Sequence, residues 1–340
     1  MNFLSDTTAP AHPQVLAAIS EANSGYAPSY GNDAITEALR DQLSQVFETE
    51  LDVVLTTSGT ASNALALSVL CPSHGAILCH DEAHIHRDER GAPEFFTGGS
   101  KLLPLAGAHA KIAFAELQLT LNQWPQDFVH TPPPRALSLS NLNECGCAYS
   151  VQELAALTSP AKALAMSVHL DGARFANALA SSGETPAAIS WQAGADILCL
   201  GATKNGALGA EAILLFGKAR EKLEDLQARQ KRSGHMGPKT RYIAAQMLAW
   251  LKDDLWLELA AQANASAQII AEGLRDQAGA DILHPVDGNE VFARLEPKLA
   301  EKLRQAGVGF YQWPDGSARF VASWSTSAEE LRAFEATIKS

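Results

Sequence analysis

Ile197-Leu198-Cys199-Leu200-Gly201-Ala202-Thr203-Lys204-Asn205-Gly206 is the stretch on which the reading of this chain turns. Its first four residues are an apolar run of strand length. The run breaks at a glycine and passes directly into a lysine set among small residues. The same pattern recurs upstream. Ser167 to Leu170 reads as a strand that ends at Asp171-Gly172-Ala173-Arg174. Leu51 to Thr57, rich in β-branched residues, reads as a strand that breaks at Ser58-Gly59-Thr60 before helical character resumes over Ala61 to Leu70. Gly75 to Cys79, Arg135 to Leu139 after the Pro132-Pro133-Pro134 break, and Ala212 to Phe216 add further strands. Strands alternating with helices predict an α/β fold whose mostly parallel sheet is covered on both faces. In such open sheets ligands collect at the carboxyl ends of the strands.

Outward from that sheet, the first dozen residues are polar and rich in Thr and Pro, an extended arm assigned to residues 1–14. After a helix and a Gly/Pro/Ser loop from Tyr26 to Asn32, a second helix buries Ile35, Leu39, Leu43 and Val46 or Phe47 on one face, with Asn32 or Asp33 as its cap. A large domain is assigned to residues 15–245 and a small C-terminal α+β domain to residues 246–340. Arg241 to Glu272 is long and helical. Beyond it lie a strand at Glu290 to Leu295, a helix at Lys298 to Gln305, a strand at Arg319 to Trp324 and a helix at Ala328 to Ile338.

Composition narrows the function. A net charge of −12 leaves no basic stripe for a nucleic acid. No apolar run approaches the ~20 residues that span a bilayer, and the N-terminus has no secretory pattern. A cytoplasmic enzyme is expected, with its five cysteines as free thiols.

Four polar signals sit where strands end. Gly59 lets backbone approach a ligand, and the following helix start with the Thr60 hydroxyl suits a phosphate; a plain N-capped helix is the other reading. Asp171 would keep a pyridine nitrogen protonated, or cap the next helix. Arg174 would fork onto a substrate carboxylate. Lys204 fits imine formation, against a solvated loop lysine. His84 suits stacking on an aromatic cofactor, or plain packing. The spacing of His84 and His86 matches no metal pattern, so no metal is expected. No Gly-x-Gly-x-x-Gly turn is present for a nicotinamide enzyme.

The order Gly-Thr turn, histidine, aspartate and then lysine resembles the aminotransferase-like, fold type I enzymes of pyridoxal 5′-phosphate. The landmarks Ser5-Asp6-Thr7, Tyr30-Gly31-Asn32-Asp33, Ser58-Gly59-Thr60-Ala61-Ser62-Asn63, Ala83-His84, His169-Leu170-Asp171-Gly172-Ala173-Arg174, Gly201-Ala202-Thr203-Lys204-Asn205-Gly206 and Arg319-Phe320 resemble the low-specificity L-threonine aldolases in particular, over nearly the whole chain. Glu89 to Phe96 is similar to their pseudomonad-type branch.

That resemblance implies a reaction and a set of roles. L-threonine, L-allo-threonine and other β-hydroxy-α-amino acids would be cleaved to glycine and an aldehyde. Lys204 would bind pyridoxal 5′-phosphate as a Schiff base, with Gly59, Thr60 and Thr203 at the cofactor, His84 on its ring and Asp171 at its pyridine nitrogen. Ser5, Arg174 and Arg319 would hold the substrate carboxylate, with Tyr30, His86 and Asn143 also around the substrate. A homotetramer, a dimer of dimers, would share sites across an interface, with Lys231 or Arg241 of a second copy reaching the phosphate. Asn143-Glu144 departs from the family, many of whose members carry a second histidine there. Asparagine cannot act as a base near neutral pH, which leaves His84, His86 or a water to take the hydroxyl proton. The rival readings are another reaction of the same cofactor, namely β-elimination, transamination or racemisation, and a catalytically silent binding protein.

Overall fold

The structure is a computed structural model of the 340-residue chain and describes residues 1–313 and 315–339. Its main sheet has seven strands: β1 (Leu51–Thr56), β2 (Ala76–His80), β3 (Lys101–Leu105), β4 (Pro134–Ser140), β5 (Ser167–Gly172), β6 (Ile197–Gly201) and β7 (Glu211–Phe216). They lie in the order β1-β7-β6-β5-β4-β2-β3. Neighbours from β3 through to β6 run parallel, whereas β7 runs antiparallel to both β6 and β1. The reversal follows from chain length. A parallel return needs a crossover of about a dozen residues or more, and only the turn 202–210 separates β6 from β7.

The predicted strands are all present, and every residue of β2, β6 and β7 is buried. Alternate residues of β6 serve opposite layers. Leu198 and Leu200 join one apolar cluster, and Ile197 and Cys199 join another beneath helix packing on the far face. The unpredicted β3 is Lys101-Leu102-Leu103-Pro104-Leu105. Its proline spoils the strand signal and is tolerated because β3 lies at the sheet edge.

Helices α1 (Pro13–Ala22), α2 (Ala34–Val46) and α3 (Gly59–Leu70) open the chain. The Asp33 side chain caps α2 through the Thr36 amide, and Leu39, Leu43 and Phe47 are buried. From Ala61 to Leu70, α3 is buried on every side. The expected helix over Arg241 to Glu272 is two, Arg241–Leu251 and Leu255–Glu272, because Asp253 and Asp254 between them adopt φ of 53° and 58°.

A second, antiparallel sheet contains β8 (Asp281–Ile282), β9 (Glu290–Arg294), β10 (Tyr311–Gln312) and β11 (Ser317–Val321) in the order β10-β11-β9-β8. Its core of Val291, Leu303, Phe320 and Phe334 is separate from that of the main sheet. Helix Leu255–Glu272 serves both, Leu255 to Ala260 in the first and Ala267 to Ala271 in the second. Phe3 belongs to the second core. Its amide donates to the Gly309 carbonyl and its carbonyl accepts from Val321 N–H, each at 2.9 Å. Among the described residues no helix is long and apolar enough to cross a membrane.

Candidate active site

A cleft of about 280 Å³ opens at the carboxyl ends of the central strands and the start of α3. Gly59, Thr60, His84, Asn143, Asp171, Arg174, Thr203 and Lys204, all anticipated from sequence, line it. Ser5, Tyr30, His86 and Arg319 do not.

One end of the cleft is built for an anion. Ser58 caps α3 by accepting from Ala61 N–H at 3.2 Å, so the amides of Gly59 and Thr60 lie in the first turn, where no intrahelical acceptor exists. A Cβ added to Gly59 would meet nothing within 4 Å, which leaves open space over those amides. Hydroxyls of Thr57, Ser58, Thr60 and Thr203 surround this end. A helix start dressed with hydroxyls fits a phosphate.

Asp171 anchors the centre. Its Oδ1 accepts from Ala173 N–H at 2.9 Å and its Oδ2 from Asn63 Nδ2 at 2.7 Å. Burial opposes its charge, yet His84, His169, the Ala173 amide and Lys204 together hold its pKa below the ordinary carboxylate value. A buried carboxylate kept ionised suits a protonated ring nitrogen. Asn63 Nδ2 also donates to Glu89 Oε1 at 2.8 Å, and Glu89 Oε1 meets His84 Nδ1 at 2.9 Å. That hydrogen bond to Glu89 raises the His84 pKa and fixes its ring in the cleft, where the imidazole side chain is 40% exposed. Behind Asp171, burial pushes His169 down to about 4, with its ring between Ser138 Oγ and Cys199 Sγ.

Lys204 follows β6 on a short turn, Thr203–Asn205. Gly201 permits this approach, since a Cβ there would lie 2.9 Å from both Ala173 Cα and Glu211 Oε2. Glu211, at the start of β7, is buried, and burial lifts its pKa to about 7 despite a hydrogen bond with Thr203 and the Lys204 charge.

The far wall carries Arg174. Its Nε donates to Asp6 Oδ2 at 2.7 Å and its Nη2 to Asp6 Oδ1 at 3.2 Å, a two-pronged pair. Its Nη1 lies 3.2 Å from Glu290 Oε2, and these two carboxylates overcome burial to raise the arginine's pKa. Arg319, on β11, lies outside the cleft lining but 3.9 Å from Glu290 Oε1, with its guanidinium 5.2 Å and 5.6 Å from the rings of Tyr311 and Trp313. Glu290 therefore stands between the two arginines.

The other anticipated residues are placed differently. Ser5 caps the turn Asp6–Thr8, so it is the neighbouring Asp6 and Thr7 that reach the arginine and the cleft. His86 is exposed on the outer side of α4 (His84–Arg87). Tyr30 lies on the surface with Lys231 Nζ 4.3 Å over its ring. Asn143 lines the cleft, but its amide braces a loop, accepting from Cys145 and Cys147 N–H and donating to the His109 carbonyl.

Sequence reasoning missed Asp6, Asn63, Glu89, Glu144, Glu211 and Glu290 as site residues. Only Asn63 carried a usable signal: an amide inside the otherwise apolar stretch Ala61 to Leu70 needs a buried partner. Glu144 lines the cleft beside His84, accepting at Oε1 from the His84 amide at 2.9 Å and from Ser140 Oγ at 2.8 Å.

An anion cradle, an exposed imidazole face, an ionised buried carboxylate and an amine in one cleft fit pyridoxal 5′-phosphate. Comparison with known proteins agrees. Residues 2–314 match the profile of the beta-eliminating lyases. The chain is 41% identical over 332 residues to a low-specificity L-threonine aldolase of Pseudomonas aeruginosa, covering 97% of this chain and 94% of that protein. It is 39% identical over 339 residues to another from a Pseudomonas species, covering 99% and 96%. A threonine aldolase structure from Leishmania major superposes with a TM-score of 0.92 at 27% identity, covering 99% of this chain and 98% of that one. An aspartate aminotransferase of Thermus thermophilus, with TM-score 0.74 and 17% identity over 99% and 90% of the two chains, shares the fold.

Proposed function

The chain belongs to the beta-eliminating lyase family, and from that premise we propose that it is a pyridoxal-5′-phosphate-dependent L-threonine aldolase of low specificity. It cleaves L-threonine, L-allo-threonine and related β-hydroxy-α-amino acids to glycine and an aldehyde. The observation that carries this reading is the ionised, buried Asp171 in the same cleft as the Lys204 amine.

The lining of the cleft supports a division of roles. Lys204 would hold the cofactor through its amine. The amides of Gly59 and Thr60 and the hydroxyl of Thr203 would hold its phosphate, His84 would lie against its ring, and Asp171 would keep the ring nitrogen protonated. Bound there, the cofactor supplies the electron sink for the Cα–Cβ bonding pair. Arg174, with Arg319 on the other side of Glu290 and Ser5 in the turn that delivers Asp6, would orient the substrate carboxylate and so fix which bond at Cα is presented for cleavage. Asn143 lines the same cleft, whereas Tyr30 and His86, also assigned to the substrate from sequence, lie outside its lining.

The test is incubation of the cofactor-loaded protein with L-threonine, L-allo-threonine and L-phenylserine, assayed for glycine, together with borohydride trapping of the cofactor on Lys204. Glycine release and a label on Lys204 are expected. Keto acid and ammonia from another amino acid, with no glycine from these three, would replace the aldolase reading with a different reaction on the same fold.

We further propose a cytoplasmic homotetramer, a dimer of dimers. The phosphate end offers hydroxyls and amides, while Lys231 and Arg241 lie outside the cleft lining, Lys231 on the face with Tyr30. A second copy presenting that face would supply the missing cation. Sedimentation should give four copies, and a monomer that still holds the cofactor at full affinity would count against shared sites.

A further inference from the structure

Cleavage of a β-hydroxy amino acid needs a group to accept the hydroxyl proton, and the candidates read from sequence are poorly placed for it. His84 is held at Nδ1 by Glu89, a hydrogen bond that favours its protonated form. His86 faces out of the cleft. Both ends of the Asn143 amide are occupied, and an amide is no base.

We propose that Glu144 is the catalytic proton acceptor for the substrate β-hydroxyl, a role that rests on the aldolase reading above. Glu144 follows β4 and lines the cleft with Lys204 and Arg174. The His84 amide and Ser140 Oγ both donate to Oε1, which fixes the carboxylate, and among the described residues no side-chain donor reaches Oε2. Arg174, the residue assigned to the substrate carboxylate, lines the same cleft. Glu211 also lines the cleft but is bound to Thr203 on the Lys204 side. Glu89 is taken up by His84 and Asn63.

The chemistry is suited to the task. Burial first, and the Asp171 charge as well, lift Glu144 to about 7, against its hydrogen bonds from the His84 amide and Ser140. A carboxylate with that pKa is a far better proton acceptor than a solvated glutamate and is half ionised near neutrality. The titratable and charged groups facing it are His84, Asp171, Arg174, the thiols of Cys79 and Cys145, and the Tyr149 phenol. Burial raises all three of the last groups, Cys79 and Cys145 to about 12, so they stay neutral through the relevant range. In the step itself the hydroxyl proton passes to Glu144, the O–H pair becomes the new C=O bond of the aldehyde, and the Cα–Cβ pair is left to Cα, which takes up one proton from solvent to give glycine. The protonated Glu144 then returns its proton to solvent.

Glu144→Gln keeps the shape and removes the basicity. Its kcat for L-phenylserine cleavage should fall by about 10²–10⁴-fold. Exchange of the glycine α-hydrogen with deuterium oxide has no hydroxyl proton to move and should stay at the wild-type rate. Glu144→Asp should recover part of the cleavage rate. In wild type, kcat/KM should rise with pH through about 7, and that limb should vanish in Glu144→Gln. Carbon-13 NMR of the cofactor-free protein should find a carboxyl titrating near 7 that the variant lacks. Undiminished cleavage by Glu144→Gln overturns the proposal, as does an equal loss of cleavage and exchange. A wild-type protein that exchanges glycine hydrogen yet releases aldehyde from no β-hydroxy acid sinks the aldolase reading itself, and this role with it.

Discussion

Asp171 and Glu211 are buried carboxylates near the same lysine, and their surroundings drive them in opposite directions. Asp171 has two donors and two nearby imidazoles, which outweigh burial and lower its pKa. Glu211 has Thr203 and the Lys204 charge, and burial wins, lifting it from 4.5 to about 7. A group with a raised folded pKa contributes stability that is complete below its unfolded pKa and is lost as pH rises through the folded value. A rise of that size corresponds to about 3 kcal/mol lost between mildly acidic and mildly alkaline pH. Glu211→Gln removes this titration. Urea unfolding of the cofactor-free protein should therefore place the variant at or below wild type near pH 5, and well above it, relative to that difference, near pH 8.5. A gap between variant and wild type that is the same at both pH values would show that Glu211 is not the titrating group.

At the scale of elements, the sheet was legible because its strands are apolar runs punctuated by glycine, proline or a polar turn. The same punctuation marked Gly59, Thr60, Asp171, Thr203 and Lys204, each at or next to a strand end where position and chemistry coincide. Local pattern failed where tertiary placement decides. Lys101 to Leu105 forms a strand only because the sheet edge accepts Pro104. The two-residue strands β8 and β10 are too short to leave a periodic trace. The supporting carboxylates of the site were illegible for a related reason. Nothing local separates a glutamate destined for burial from a solvated one. Asp6 meets Arg174 across 168 residues of chain, and Asn63 meets Asp171 across 108. Asn63 within α3 was the exception, since a polar side chain in a helix buried on all sides must find partners, and it finds Glu89 and Asp171. Asp6 was hidden beside Ser5 in the same way: the serine makes the turn, and the turn delivers Asp6 to Arg174.

Across the whole molecule, the N-terminal residues act as a strap between the two cores. Phe3 is fully buried in the second core, with its ring 5.6 Å from Phe334 in an edge-on contact and 6.4 Å from Phe320. The Leu4 carbonyl accepts from Arg319 Nη2 at 3.5 Å, and Asp6 then grips Arg174 at the cleft wall. The strap thus sets the distance between the two arginines assigned to the substrate carboxylate, one on each core. Asp171 lies on the main sheet and Lys204 on the turn that follows β6, where the arm makes a separate contact, His12 N–H to the Gly206 carbonyl at 2.8 Å, beyond Phe3. Phe3→Ala should cost about 3–5 kcal/mol of stability, as large-to-small changes of a buried phenylalanine do. In the fraction that stays folded, the arginines lose their fixed spacing while the cofactor's groups keep theirs. KM for L-threonine should rise more than kcat falls, because what is lost is binding common to the ground and transition states. Steady-state kinetics below the melting temperature separates the two effects. A fall in kcat at constant KM would mean that the strap acts on the reacting atoms through the main sheet, and the two-core account of the carboxylate clamp would have to be given up.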